Sequence, residues 1–164
     1  MVEDVVKALG FLCLGSRFRR IGERLQADTQ RIMDEMGVSV PASQYPLLAA
    51  INRLGPLSIG DLALAVGIAQ PGVTRSSAAL VKAGYLETLP TPGDQRRRVL
   101  SLTREGQQLV DKAKRELWPS VESAVADLCG PLSGPLLEQL AALEDGLAKE
   151  PLHSRVGAMR EARR

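Results

Sequence analysis

Aromatic residues are scarce in this chain, at 3% of 164 residues, and leucine, alanine and valine carry the apolar content. That balance favours helices over a sandwich or barrel, which draw on aromatic and β-branched side chains. Cysteine is nearly absent as well. Cys13 and Cys129 stand far apart, and neither belongs to a CxxC or Cys/His cluster. A structural zinc and a disulfide scaffold are therefore not indicated, and no metal ligand set is expected. The one histidine, His153, sits in a basic tail. The sequence has no GxGxxG, Walker loop, HExxH or glycine-rich acyl-CoA loop, so the expectation is a protein that is not an enzyme and needs no cofactor. No apolar run reaches membrane-spanning length, and the N-terminus lacks the basic, apolar and cleavage regions of a signal peptide. The expected location is cytoplasmic, with no membrane partner.

What is present is organised around Ser58 to Gly106. Ser58 with Asp61 three residues on makes a capping box before Ile59, Leu62, Ala63 and Val66. Gly67 provides the positive φ that stops this helix abruptly. A second helix restarts near Gln70, with Pro71 in a first-turn position. Val73, Leu80 and Val81, with small Ser77 between, fall on one face, and Gly84 closes the helix. Tyr85–Leu89 and Arg97–Leu102 read as paired strands, with Leu57-Ser58 able to pair at their edge. The tip Pro90-Thr91-Pro92-Gly93-Asp94 is turn chemistry throughout. Two short helices and a hairpin make a helix-turn-helix with a wing.

The net charge of +2 says little, but its distribution says more. Between Gln70 and Arg104 the cations Arg75, Lys82, Arg96, Arg97, Arg98 and Arg104 face only Glu87 and Asp94. A local excess of this kind is what phosphate neutralisation requires.

Around this centre lie longer helical patterns. Val5, Val6, Leu9, Leu12, Cys13, Ile21, Leu25, Ile32 and Met36 predict one long helix over 2–36, weakened locally by Gly10, Gly15 and Gly22. A helix over 42–53 follows the break at Gly37–Pro41. Thr103 is placed to N-cap a further long helix lined by Leu109, Ala113, Leu117, Val121, Val125 and Leu128. Pro119 should kink it near Leu117-Trp118. A last amphipathic helix spans 132–147.

The order of helix, turn, helix, Gly84-Tyr85-Leu86, hairpin with Asp94-Gln95-Arg96-Arg97-Arg98, then Leu102-Thr103-Arg104-Glu105-Gly106 resembles the MarR family of winged helix-turn-helix regulators. Asp94 and Arg96 match the family's D-x-R wing signature. The resemblance implies a mainly α fold with a small β-hairpin wing. It divides the chain into a dimerisation helix (1–38), a DNA-binding lobe (39–104), further dimerisation helices (105–150) and a flexible basic tail (151–164). It implies a homodimer on palindromic double-stranded operator DNA, most often as a repressor.

If the helix from Gln70 to Ala83 enters the major groove, Gln70, Pro71, Gly72, Thr74 and Arg75 are the residues expected at DNA. Gln70 can pair with adenine and Arg75 can fork onto guanine. Gly72 leaves room for close backbone approach. Arg96 would enter the minor groove, braced by Asp94. Arg97 and Arg98 point to alternate strand faces, so one reaches phosphate while the other braces the lobe. Two positions depart from the family pattern: Ala79, where a basic residue is common, and Ser76, where an apolar one is. The resemblance also implies a small phenolic or anionic effector, with Phe11, Arg17, Phe18, Tyr45 and Trp118 as lining residues. Two alternatives remain: a protein-interaction module on the same scaffold, and a redox-sensing regulator acting through Cys13.

Overall fold

The computed structural model describes residues 2–38, 40–91 and 94–150, with the backbone alone at 91 and 94–97. The tail with His153 lies outside the described residues, as does Ser39. The chain divides into two compact units, one running to Val121 and one starting at Glu122.

The first unit opens with α1 (Val5–Ala8), a 3-10 turn (Gly10–Cys13) and α2 (Leu14–Glu35). The long single helix expected over 2–36 is thus broken. Gly10 adopts φ +55°, a left-handed conformation that ends α1. Asp4 caps α1 and also receives Arg20 of α2 in an ion pair at 2.9 Å. Hydrogen bonding from that guanidinium holds the Asp4 carboxyl below its ordinary range. Val5, Leu9, Phe11, Leu12, Phe18, Ile21 and Leu25 are exposed within this chain.

A 3-10 turn (Ala42–Gln44) leads into α3 (Tyr45–Leu54), where a continuous α-helix over 42–53 was expected. Gln30 of α2 fixes that entry by accepting the Ala42 N–H at 2.7 Å. Helices α4 (Ile59–Val66) and α5 (Gln70–Lys82) precede β1 (Leu86–Thr91) and β2 (Asp94–Leu102). The strands pair antiparallel, from Leu86 opposite Leu102 to Pro90 opposite Arg98. Leu57 adds a two-bond bridge to Leu100, at 3.1 and 2.7 Å, as its edge position suggested. A two-stranded hairpin is marginal by itself. Here Leu86 and Leu100 drive it into a core shared with Met33, Leu47, Leu48, Ile51, Leu62, Val73, Leu80 and Val110.

Helix α6 (Arg104–Lys112) runs through a π-turn (Ala113–Leu117) into α7 (Trp118–Cys129). Thr103 caps α6 as expected, its hydroxyl accepting the Gly106 N–H at 3.0 Å. The interruption predicted at Pro119 is this π-turn. Within the second unit, α7 is followed by α8 (Leu136–Lys149), four residues later than the sequence pattern suggested. Among the described residues no helix is long and apolar enough to cross a membrane.

Candidate nucleic-acid interface

The turn between α4 and α5 is fixed by local chemistry. Ser58 accepts the Asp61 N–H at 3.1 Å and donates its hydroxyl proton to the Asp61 carboxylate at 2.6 Å. One side chain thus satisfies an orphan donor of the first turn, and such caps contribute about 1 kcal/mol. At the other end Gly67 sits at φ +65°, and the Ile68 N–H reaches back to the Ala63 carbonyl at 3.2 Å. Helix α5 ends in the same way. Gly84 at φ +81° lets the Tyr85 and Gly84 N–H groups bond Leu80 and Val81, each at 3.0 Å. Both are the glycine-terminated Schellman arrangement.

The same few residues close the hairpin at its base. Thr103 donates its hydroxyl proton to the Gly84 carbonyl at 2.6 Å, and its N–H reaches the Tyr85 carbonyl at 3.1 Å. A Cβ added at Gly106 would lie 2.0 Å from that Tyr85 oxygen. The Gly84-Tyr85 pair and the Thr103–Gly106 pair, distant in sequence, are therefore halves of one joint.

These constraints present α5 with one face inward. Val73, Ser77 and Leu80 are buried, while Gln70, Pro71, Thr74, Arg75, Ala78 and Ala79 are exposed. Val81, expected on the inner face, is 37% exposed. Thr74 donates its hydroxyl proton to the Gln70 carbonyl at 2.9 Å, which settles its rotamer but leaves the oxygen able to accept. Gly72 is half-buried, and a Cβ there would lie 3.2 Å from the Ile68 side chain. Its small size is thus already needed inside the protein.

Ser77 is the unusual member. It is 2% exposed and its hydroxyl has no hydrogen-bond partner among the described residues. An unpaired buried hydroxyl is costly, so Ser77→Ala is expected to raise stability by up to about 1 kcal/mol. Chemical denaturation at unchanged slope would measure it, and a loss of stability would mean that the hydroxyl has a partner after all.

Between α5 and the hairpin runs a groove of about 440 Å³. Ile59, Ala78, Val81 and Leu100 form its apolar part, with Thr74, Lys82, Thr88 and Arg98 supplying polar and cationic groups. Arg98 is exposed and lies on the strand face that also carries Leu100. Thr88 was not among the sequence candidates, and Lys82 entered only as one cation of the local basic excess. The signal for Thr88 is the hairpin register, which sets it opposite Leu100, beside the Pro90–Arg98 pair. The side chains of Asp94, Arg96 and Arg97 lie outside the described residues, though their backbone belongs to β2.

The five residues named for an effector fall in different environments. Tyr45 and Trp118 belong to the shared core, Arg17 is half-buried, Phe18 is 41% exposed and Phe11 is 92% exposed. Burial, with a smaller contribution from Tyr85, raises the Tyr45 phenol above its usual value. Cys13 and Cys129 are both half-buried free thiols.

Comparison with known proteins agrees with this geometry. Residues 36–97, from the end of α2 through most of the wing, match the profile of the MarR family. The HTH-type transcriptional regulator FarR of Neisseria gonorrhoeae is 29% identical over 128 residues, covering 76% of this chain and 86% of FarR. BpsR of Bordetella bronchiseptica superposes with a TM-score of 0.66 at 24% identity, over 82% of this chain and 92% of BpsR. A mutant of Escherichia coli MarR complexed with operator DNA also gives 0.66, at 20% identity, over 90% and 98% of the two chains. These structures share the fold, and the matched segment is the helix-turn-helix with its hairpin. Its helix-turn-helix and hairpin thus carry the profile of the MarR family, and over most of its length the chain is similar to an HTH-type transcriptional regulator.

Proposed function

We propose that this protein is a repressor that binds a palindromic operator as a homodimer and is released by a small ligand. The carrying observation is the exposed face of α5, with Gln70, Thr74 and Arg75 outward on a helix whose opposite side is locked into the core. In this reading α5 lies in the major groove, with Arg75 at a guanine edge and Gln70 at an adenine. Pro71 and Gly72 bring the start of α5 close to the duplex. Thr74 and one of Arg97 and Arg98 take phosphates, the other arginine bracing the lobe, while Arg96, steadied by Asp94, enters the minor groove. The exposed apolar positions of α1 and α2 meet a second copy, which sets two reading lobes about one DNA turn apart.

The solved relatives give this reading its chemistry. E. coli MarR has been seen with operator DNA, and the DNA binding of BpsR is regulated by 6-hydroxynicotinic acid. A phenolic or anionic effector suits the present chain, with Arg17 the cation among the five residues named for it. No membrane-spanning helix occurs among the described residues, and a cytoplasmic location fits access to DNA.

The test is binding of the purified protein to the duplex upstream of its own gene, beside Arg96→Ala. The expected result is specific binding that the variant weakens by about 10-fold or more. Equal binding to that duplex and to random DNA, by both proteins, would overturn the assignment of this operator and of the wing.

A further inference from the structure

Neither α7 nor α8 contains a buried residue. Within the second compact unit, the end of α7 and the start of α8 enclose a groove of about 620 Å³. Val125, Leu132, Leu136 and Leu137 make its walls largely apolar, and Leu132 and Leu137 are 54% and 80% exposed. Two exposed carboxylates, Glu122 and Glu138, also line it. No cation does, and neither carboxylate has an ion-pair partner among the described residues.

Charge in this unit is divided by position. Residues 122–150 carry six acidic side chains against Lys149 alone, a net charge of −5. Residues 151–164, outside the described residues, carry Arg155, Arg160, Arg163 and Arg164 against Glu161, a net charge of +3. Leu152, Val156 and Met159 are the larger apolar residues of that segment. Groove and segment are thus complementary twice over, apolar to apolar and carboxylate to guanidinium. A second copy seated here about a two-fold axis would instead bring one acidic unit against another, which like charge opposes.

We propose that residues 151–164 of the same chain dock into this groove. The groove lies at the first turn of α8, and the segment follows its last. Helix α8 has 14 residues, so the two points lie about 20 Å apart along its axis. Leu147 and Leu143, 48% and 38% exposed, belong to the stripe that leads back to Leu136. About six or seven extended residues cover that distance. Leu152 and Val156 then follow the stripe, and Met159 reaches the groove with Arg160, Arg163 and Arg164. Met159 is an adaptable apolar anchor, and the arginines meet Glu122 and Glu138. Tethering holds the segment at an effective concentration of about millimolar, so contacts too weak for two molecules suffice within one.

Cys129, half-buried on the groove wall, reports whether the groove is covered. In the full chain carrying Cys13→Ser, its alkylation by neutral iodoacetamide is expected to run about tenfold slower than in the same chain cut after Glu150. A synthetic peptide of residues 151–164, added at about millimolar concentration, should restore protection to the shorter chain. Glu122→Gln with Glu138→Gln should free the thiol in the full chain. In the shorter chain the same pair measures only the direct effect of the two charges on the thiol, and that effect should be much smaller. Arg160→Gln, Arg163→Gln and Arg164→Gln together leave both helices untouched and should expose the thiol as the cut does. Equal alkylation with and without the segment would overturn the proposal. So would an equal response of both chains to the glutamine pair, or full protection in the triple arginine variant. Protection that survives the cut and grows with protein concentration would place a second copy in the groove instead.

Discussion

Replacing Gly106 by alanine is expected to destabilise the protein by about 3 kcal/mol or more, since its added carbon makes the closest approach among the described glycines. The new carbon would sit 2.0 Å from the Tyr85 carbonyl oxygen. That oxygen cannot retreat freely, because it accepts the Thr103 N–H, and Thr103 in turn caps α6 and holds the Gly84 carbonyl. Relief would have to separate the base of the hairpin from the start of α6. In a thermal melt the shift should be about 10 °C downward for a chain of this length. Gly60→Ala is the matched control. It lies within α4 at an ordinary φ, and its added carbon would meet only the Ser58 hydroxyl oxygen at 3.8 Å. The same chemical change there should stabilise by about 0.5–1 kcal/mol through the unfolded state and helix propensity. Equal effects at the two glycines would show that the close approach at Gly106 is absent in solution.

The second large effect concerns the duplex. A dimer that neutralises six to ten phosphates should lose about 10³-fold or more in affinity between 50 and 200 mM salt. Within that total, Arg75 and Lys82 should separate. Arg75→Ala, at the outward start of α5, is expected to cost about 1–3 kcal/mol on the operator and to relax discrimination at one base pair. Lys82→Ala, on the groove beside the hairpin, should weaken all duplexes alike and lower the salt slope by about one unit per bound copy. Titrations at several salt concentrations on operator and scrambled duplexes measure both. If Arg75→Ala behaves like Lys82→Ala, then Arg75 holds phosphate and the base reading of α5 rests on other residues.

The punctuation of the helix-turn-helix was legible in the sequence because it is local. Ser58 with Asp61, Gly67, Gly84 and Thr103 each begin or end a helix through bonds that span three to five positions, and each stands where its residue type predicts. That Leu57 could pair at the edge of the hairpin was also legible, though its partner Leu100 was not. Other features depend on what arrives from elsewhere in the chain. Nothing near Gly106 in sequence announces the Tyr85 carbonyl, and nothing near Ser77 says that its hydroxyl lacks a partner. Lys82 and Thr88 become neighbours only once α5 meets β1 and the strand register is set. The first helix was read as continuous because apolar spacing carries across Gly10, whereas a single positive φ breaks it. The four-residue apolar stripe after Thr103 is visible in the sequence, whereas the π-turn within it at Ala113–Leu117 is not.

The lock formed by Gly84, Tyr85, Thr103 and Gly106 has a consequence for how such a regulator changes over evolutionary time. It closes the hairpin at the end farthest from the tip, so the base of the wing does not depend on what lies between Pro90 and Asp94. Lengthening a loop whose ends are already held is cheap, about 0.6 kcal/mol for each doubling. Insertions and charge changes at the tip can therefore accumulate without disturbing α5 or the core. The reach of the wing becomes a freely adjustable quantity, while the helix beside it keeps a fixed address.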